Sequence, residues 1–193
     1  RKAVVDLQAR HVLRHGAGRD LHYVVDDALE PLDVVRHHAR ELALLGDVSV
    51  DTFHPAVARA AIEAGAAIIN DTTGLRDPQM ADVVADSEAR IVIAHSLATP
   101  RTQHPLPHYD DVTAEVGAFL RQRSDLALER GIPAERIIID PGHDLNKNTL
   151  QTLEITRRLD EIAAIGFPLL VALSNKDFIG EALGRERDQR VAG

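Results

Sequence analysis

Cysteine is absent from the 193 residues of the chain, which excludes a disulfide framework and any thiolate zinc site. Tryptophan is absent too, and aromatic residues make up 3% of the chain, so few side chains can stack on exposed nucleobases. Basic residues are in deficit, 22 against 30 acidic ones for a formal charge of -8. That balance argues against nucleic acid or an anionic membrane surface as the main partner. No apolar run approaches the roughly 18 residues of a membrane span, and the N-terminus lacks the apolar stretch of a secretion signal. These absences leave a cytoplasmic protein that handles small polar ligands as the expectation.

No Ser/Gly-rich or charge-run linker interrupts the sequence, so residues 1–193 read as a single domain, one that buries about 70% of its unfolded surface. Residues 1–47 carry the weaker patterns. A short helix is expected over Val4–Leu13, a weak strand over Leu21–Val25, and a helix over Leu29–Leu45, where Leu32, Val35, Ala39, Leu42 and Leu45 recur at helical spacing. His37 and His38 on that helix read as part of a solvated face.

From Val48 onward strands and helices alternate. Strands are expected at Val48–Thr52, Ala67–Asp71, Arg90–His95, Arg136–Asp140 and Leu169–Ser174. Helices are expected at Pro55–Ala64, Asp77–Ala85, Asp110–Arg130, Leu150–Ile165 and Asp177–Leu183, several marked by Pro at the start or Gly after the end. Such alternation builds a parallel sheet, because parallel neighbours need crossover connections. An open doubly wound sheet and a closed (β/α)8 barrel share it. Asp51, Asn70, His95, Asp140 and Ser174 each end a different strand, and gathering ligand groups from many strands is the habit of the TIM barrel. The expectation is therefore an α/β TIM (β/α)8 barrel, incomplete in this chain, with five clear β/α units where eight need about 250 residues.

The stretch Ile137 to Thr149 concentrates the chemistry. Three branched aliphatics end at Asp140, Pro141 and Gly142 turn the chain, and a loop rich in hydrogen-bonding groups follows. Asp51, Asn70, Asp140, Ser174 and Lys176 at one barrel mouth would match a ligand with a flat edge of adjacent donors and acceptors, such as an aminopyrimidinone ring. A single Asp at a strand end can equally cap the next helix. His143 with Asp144, and His104 with His108, lack a third and fourth ligand at defined spacing, so no metal site from the protein is expected, and loop histidines of this kind read as solvated. A phosphate-binding Walker loop is excluded, because Asn146 and Asn148 flank Lys147 where Gly and Ser or Thr are needed.

Four motifs in fixed order carry a resemblance: Ser49-Val-Asp-Thr52; Glu63-Ala-Gly-Ala-Ala-Ile-Ile-Asn-Asp71 followed by Asp77-Pro-Gln-Met80; Ile139-Asp-Pro-Gly142 with Lys147; and Ser174-Asn-Lys176 followed by Phe178-Ile-Gly180. In them the chain resembles the dihydropteroate synthases across roughly residues 48–193, with residues 1–47 unmatched. The resemblance implies a barrel in which p-aminobenzoate displaces pyrophosphate from 6-hydroxymethyl-7,8-dihydropterin pyrophosphate, assisted by Mg2+ on the substrate's pyrophosphate, in folate biosynthesis. It implies that Asp51, Asn70, Asp140 and Lys176 hold the pterin, with Asp140 on the 2-amino and N3-H edge, that Ser174 and Asn175 lie on the p-aminobenzoate side, and that the protein is a homodimer.

The chain also departs from that family. The loop after Asp-Pro-Gly usually ends Gly-Phe-Gly-Lys, and here it reads His143-Asp-Leu-Asn-Lys147. Asp144 adds negative charge near an anionic substrate. The usual Ser-Arg-Lys-Ser is Ser174-Asn-Lys-Asp177, so a cation gives way to an amide and a carboxylate follows. The Asn-x-Thr-Pro-Asp-Ser-Phe strand and the last strand with its Arg and His are not found. Two readings follow: a dihydropteroate synthase-like transferase, or a catalytically silent paralogue that binds a pterin-like ligand or a partner protein. A pterin-dependent methyl-transfer barrel shares the Asp/Asn pattern and forms a third.

Overall fold

The computed structural model describes residues 4–6, 11–14, 21–24, 31–44, 46–98, 107–173, 176–186 and 189–190, the first three segments by their backbone alone. Seven strands are hydrogen-bonded in chain order, β1 (Val4–Asp6), β2 (His11–Arg14), β3 (Leu21–Val24), β4 (Val48–Asp51), β5 (Ile68–Asp71), β6 (Arg90–Ala94) and β7 (Ile137–Asp140). By contacts the chain divides into two compact units.

The first unit holds residues 1–71, 75–92 and 126–137. β1 and β2 pair antiparallel with Val5 opposite Val12, and β2 and β3 antiparallel with Val12 opposite Tyr23. The short helix expected over Val4–Leu13 is therefore a pair of strands. Its β-branched residues favour extended backbone, and so short a stretch lacks the length to sustain a helix by itself. From β3 onward the pairing turns parallel, with Tyr23 opposite Val50 and Asp51 opposite Asn70. Helix α1 (Leu32–Ala43) buries Val35, Ala39 and Leu42 and lies against α2 (Pro55–Glu63), which in turn lies against α3 (Gln79–Ala85). Pro55 opens α2 at its first turn, where the missing N-H has no helical partner to lose. Val48, Val50, Ile69 and Ile91 are buried in this unit.

The second unit holds residues 72–74, 93–125 and 138–193. The end of β6 meets the end of β7 through His95 N donating to Asp140 O at 2.9 Å. Helix α4 (Val112–Glu129) begins here and buries Val116 and Leu120. Where one helix is expected over Leu150–Ile165, two form, α5 (Thr149–Arg157) and α6 (Leu159–Ala163). The break is at Arg158, with φ -111° and ψ 31°, whose guanidinium binds Asp111, Glu154 and Glu161 at once. Of Leu169–Ser174, expected as the fifth strand, residues 169–173 are described and make one isolated parallel bridge, Ile139 to Leu169. Leu169 to Leu173 are half-buried to exposed, so the covering that would hold a doubly buried strand in a ladder is lacking among the described residues. Helix α7 (Asp177–Leu183) follows and lies against α5. Among the described residues, no helix is long and apolar enough to cross a membrane.

Candidate functional site

In the first unit, Asp51 and Asn70 occupy the C-terminal ends of neighbouring parallel strands, in register. β4 reads Val-Ser-Val-Asp and β5 Ile-Ile-Asn-Asp, so the sheet that buries Val50 and Ile69 also presents Asp51 and Asn70 side by side near its strand ends. Asn70 Nδ2 donates to Asp51 Oδ1 at 3.0 Å. Its carbonyl oxygen Oδ1 is buried with no hydrogen-bond partner among the described residues. An acceptor left so costs about 1–3 kcal/mol, and a ligand N-H placed there would recover it. Asp71, next in sequence, instead shapes the turn: its Oδ2 accepts from Leu75 N at 2.8 Å.

In the second unit, Asp140 ends β7 and is 7% exposed. Its Oδ1 accepts from Gly142 N at 2.7 Å, which orients the carboxylate against its own turn. Gly142 has φ +68° and stands hard against the backbone of His95.

Lys147 is the hub of the loop. Its Nζ lies 2.8 Å from Gly142 O, 2.9 Å from Leu145 O and 3.0 Å from His95 Nδ1. When Lys147 carries its proton, three ammonium hydrogens meet three close acceptors, and the His95 ring then holds its own proton on Nε2. Burial pushes the Lys147 pKa down to about 7 against the pull of Asp140 and Asp144, and Lys176 adds to the depression. Burial and the Lys147 charge push His95 down to about 3.

His143, read from the sequence as a solvated loop residue, is 1% exposed, beside the Phe178 ring with centroids 6.3 Å apart. Neither ring nitrogen has a partner among the described residues. Burial, then Lys147 and Lys176, push its pKa down to about 4. His143 sits in a tight turn between Gly142 and Asp144, both at positive φ, and is covered by Phe178 of α7.

Asp144 and Asn146 also hold left-handed backbone, at φ 63° and 52°. Asn146 Oδ1 accepts from Leu97 N at 3.1 Å and Ala98 N at 3.0 Å and lies 2.7 Å from Ser96 Oγ. Tyr109 donates its hydroxyl to Asn146 O at 3.1 Å. Sequence reasoning missed Asn146 as a binding group, although an Asn in a tight turn is a known signal for left-handed backbone. Asn148, read from the sequence only as a residue that excludes a Walker loop, forms with Gln151 a capping box that starts α5. Lys176 immediately precedes α7, at its N-cap position. Ser174, Asn175 and His104 lie outside the described residues; His108 is solvent-exposed beside Asp110.

Parallel strands that alternate with helices and end in polar side chains define the protein as α/β. The chain belongs to the pterin binding enzyme family, whose profile matches residues 17–193 and so extends the resemblance ahead of Val48. Within it, the relatives are dihydropteroate synthases. The chain is 41% identical over 151 residues to the inactive dihydropteroate synthase 2 of Mycobacterium tuberculosis, covering 76% of this chain and 48% of that protein. It is 38% identical over 148 residues to the dihydropteroate synthase of Synechocystis sp., covering 76% and 51%. The solved dihydropteroate synthase of Xanthomonas albilineans in complex with 7,8-dihydropteroate matches with a TM-score of 0.82 and 39% identity, over 91% of this chain and 66% of that one. The fold is thus α/β, covering part of such a barrel. The chain spans about half the length of the curated relatives it matches.

Proposed function

We propose that the protein is a dihydropteroate synthase-type transferase, joining p-aminobenzoate to 6-hydroxymethyl-7,8-dihydropterin pyrophosphate in folate biosynthesis. The carrying observation is Asn70, whose amide is clamped by Asp51 while its buried carbonyl oxygen waits for a donor. A pterin ring offers N-H donors and carbonyl acceptors on one edge, which suits an amide of fixed orientation. In this reading Asp51, Asn70, Asp140 and Lys176 hold the pterin, as their places in the family's motifs suggest. Ser174 and Asn175 serve the p-aminobenzoate side, and His143, Asp144 and Lys147 shape the loop.

The chemistry asks little of these side chains beyond placement. The arylamine nitrogen attacks the exocyclic carbon, the carbon-oxygen bond to pyrophosphate breaks, and the nitrogen then loses a proton. Holding the ring still converts an encounter into an oriented attack. Among the described residues, no group of three or more His, Cys, Asp or Glu side chains could hold a metal ion. On the family likeness, Mg2+ enters the proposal as the companion of the substrate's pyrophosphate, an ion bound chiefly by phosphate oxygens and water. A homodimer, a cytoplasmic location and a single barrel domain over residues 1–193 complete the proposal, on the family likeness and the cysteine-free composition.

Titration with 6-hydroxymethyl-7,8-dihydropterin pyrophosphate and Mg2+, then p-aminobenzoate, with pyrophosphate release followed in the same cell, tests the reading. Binding with release is expected, and absence of binding would sink it. Asp140→Asn is expected to weaken pterin affinity about 30-fold, the worth of one charged hydrogen bond at about 2 kcal/mol. An unchanged affinity would remove Asp140 from the site. A second reading, the silent paralogue that binds a pterin-like ligand or a partner protein, is favoured by the 41% identity to a relative named inactive. It predicts binding without release.

A further inference from the structure

Helix α7 begins without a cap of its own. Lys176 holds the N-cap position, and its side chain makes no capping hydrogen bond. Asp177, in the first turn, is turned to Arg190, with Oδ1 2.5 Å from the guanidinium Nη1. The acceptor that the helix lacks comes from another segment: Phe178 N donates to Asp144 Oδ2 at 3.3 Å. Phe178 stands two positions beyond Lys176, where a capping oxygen normally accepts, and a carboxylate there also meets the positive end of the helix dipole.

Asp144 reaches this point from left-handed backbone at φ 63°. An aspartate tolerates that conformation better than most residues but not freely. Its neighbour His143 is held against the same Phe178, ring to ring, and Phe178 itself is 3% exposed. Two consecutive loop residues therefore grip one residue of α7, one by its ring and one by its amide. Thr149 Oγ1 donates to Glu181 Oε2, tying the middle of the helix to α5.

We infer that Asp144 is a positioning residue for Lys176: its carboxylate caps the start of α7 and thereby fixes the backbone from which Lys176 extends. This rests on the proposed role of Lys176 in holding the pterin. The loop after β7 then sets a ligand-binding group of another segment without touching the ligand itself. The negative charge that Asp144 brings to the loop is engaged at a helix terminus, not turned toward an anionic substrate.

Two variants separate this from general loop stability. Asp144→Gly keeps the left-handed backbone relaxed and removes the cap, and Asp144→Asn keeps an acceptor. The chain has three lysines, Lys2, Lys147 and Lys176, so the Lys176 signal can be assigned by 13C-methyl NMR after reductive methylation. In Asp144→Gly, the Lys176 resonance should move toward its random-coil position, the Phe178 amide should exchange about tenfold faster, and the unmodified variant should bind the pterin pyrophosphate about tenfold more weakly. Asp144→Asn should restore all three to within about threefold or to the parent position. A Lys176 resonance and Phe178 exchange rate unchanged in Asp144→Gly would overturn the inference, as would pterin affinity unchanged in that variant when the parent binds. Spectral changes rescued by Asn in a parent that binds no pterin would support the cap and count instead against the proposed function.

Discussion

Gly142→Ala is expected to lower the unfolding free energy by about 4 kcal/mol, combining left-handed strain of roughly 1–2 with overpacking of roughly 1–3. A Cβ at this position would lie 2.0 Å from His95 O and 3.1 Å from His95 C. That obstacle is backbone, not the far end of a flexible side chain. His95 cannot retreat without loosening the bond its own N-H makes to Asp140 O at 2.9 Å, which joins the ends of β6 and β7. The same displacement would pull Gly142 N from Asp140 Oδ1 and disorient the carboxylate, so ligand affinity should fall along with stability. Gly166→Ala supplies the control. Gly166 has φ +103° with no atom within 4 Å of its would-be Cβ, so it should cost only the strain. Urea denaturation of both variants decides the matter: equal losses would mean that the contact with His95 carries no weight.

The regular part of the sheet was legible because β4, β5 and β7 are short stretches rich in branched aliphatics that end in a carboxylate. Val48 to Asp51, Ile68 to Asp71 and Ile137 to Asp140 announce both their burial and their ends. The β1-β2 pair was not, because three- and four-residue strands have too few positions to show a period, and their pairing depends on partners. Leu169–Ser174 misled for the opposite reason: its composition fits a buried strand, but composition does not say whether anything covers it. At the candidate site, the strand-end positions of Asp51, Asn70 and Asp140 were readable. The burial of His143 was not, since its cover is Phe178, thirty-five residues further along the chain. Nor was the bonding of Asn146 to Leu97 and Ala98, nearly fifty residues away along the chain, which no local pattern encodes.

Acidification from pH 6.5 to 4 is expected to remove several kcal/mol of stability, and His143→Leu to abolish about 3 kcal/mol of that loss. Folding depresses His143 from 6.5 to about 4 and His95 from 6.5 to about 3. Between those values the unfolded chain takes up protons that the native loop refuses, so stability falls as pH drops from 6.5 and levels off below the folded pKa. Each tenfold loss of proton affinity on folding is worth about 1.4 kcal/mol. Lys147 acts in a different window: depressed from 10.5 to about 7, it lets stability rise from pH 7 to 10.5. The carboxylates of Asp111, Glu154 and Glu161, held below their ordinary values chiefly by hydrogen bonds, add to the acid loss only below about pH 5, where the unfolded chain's carboxyls begin to protonate. They do so in parent and variant alike, so the difference between the two isolates His143. His143→Leu fills the same buried place without two unpartnered nitrogens and should add about 2 kcal/mol at pH 7. Urea denaturation at pH 7, 5.5 and 4, with the histidine ring protons followed by NMR, measures both effects. An acid limb equally deep in parent and variant would locate the buried charge elsewhere than on His143.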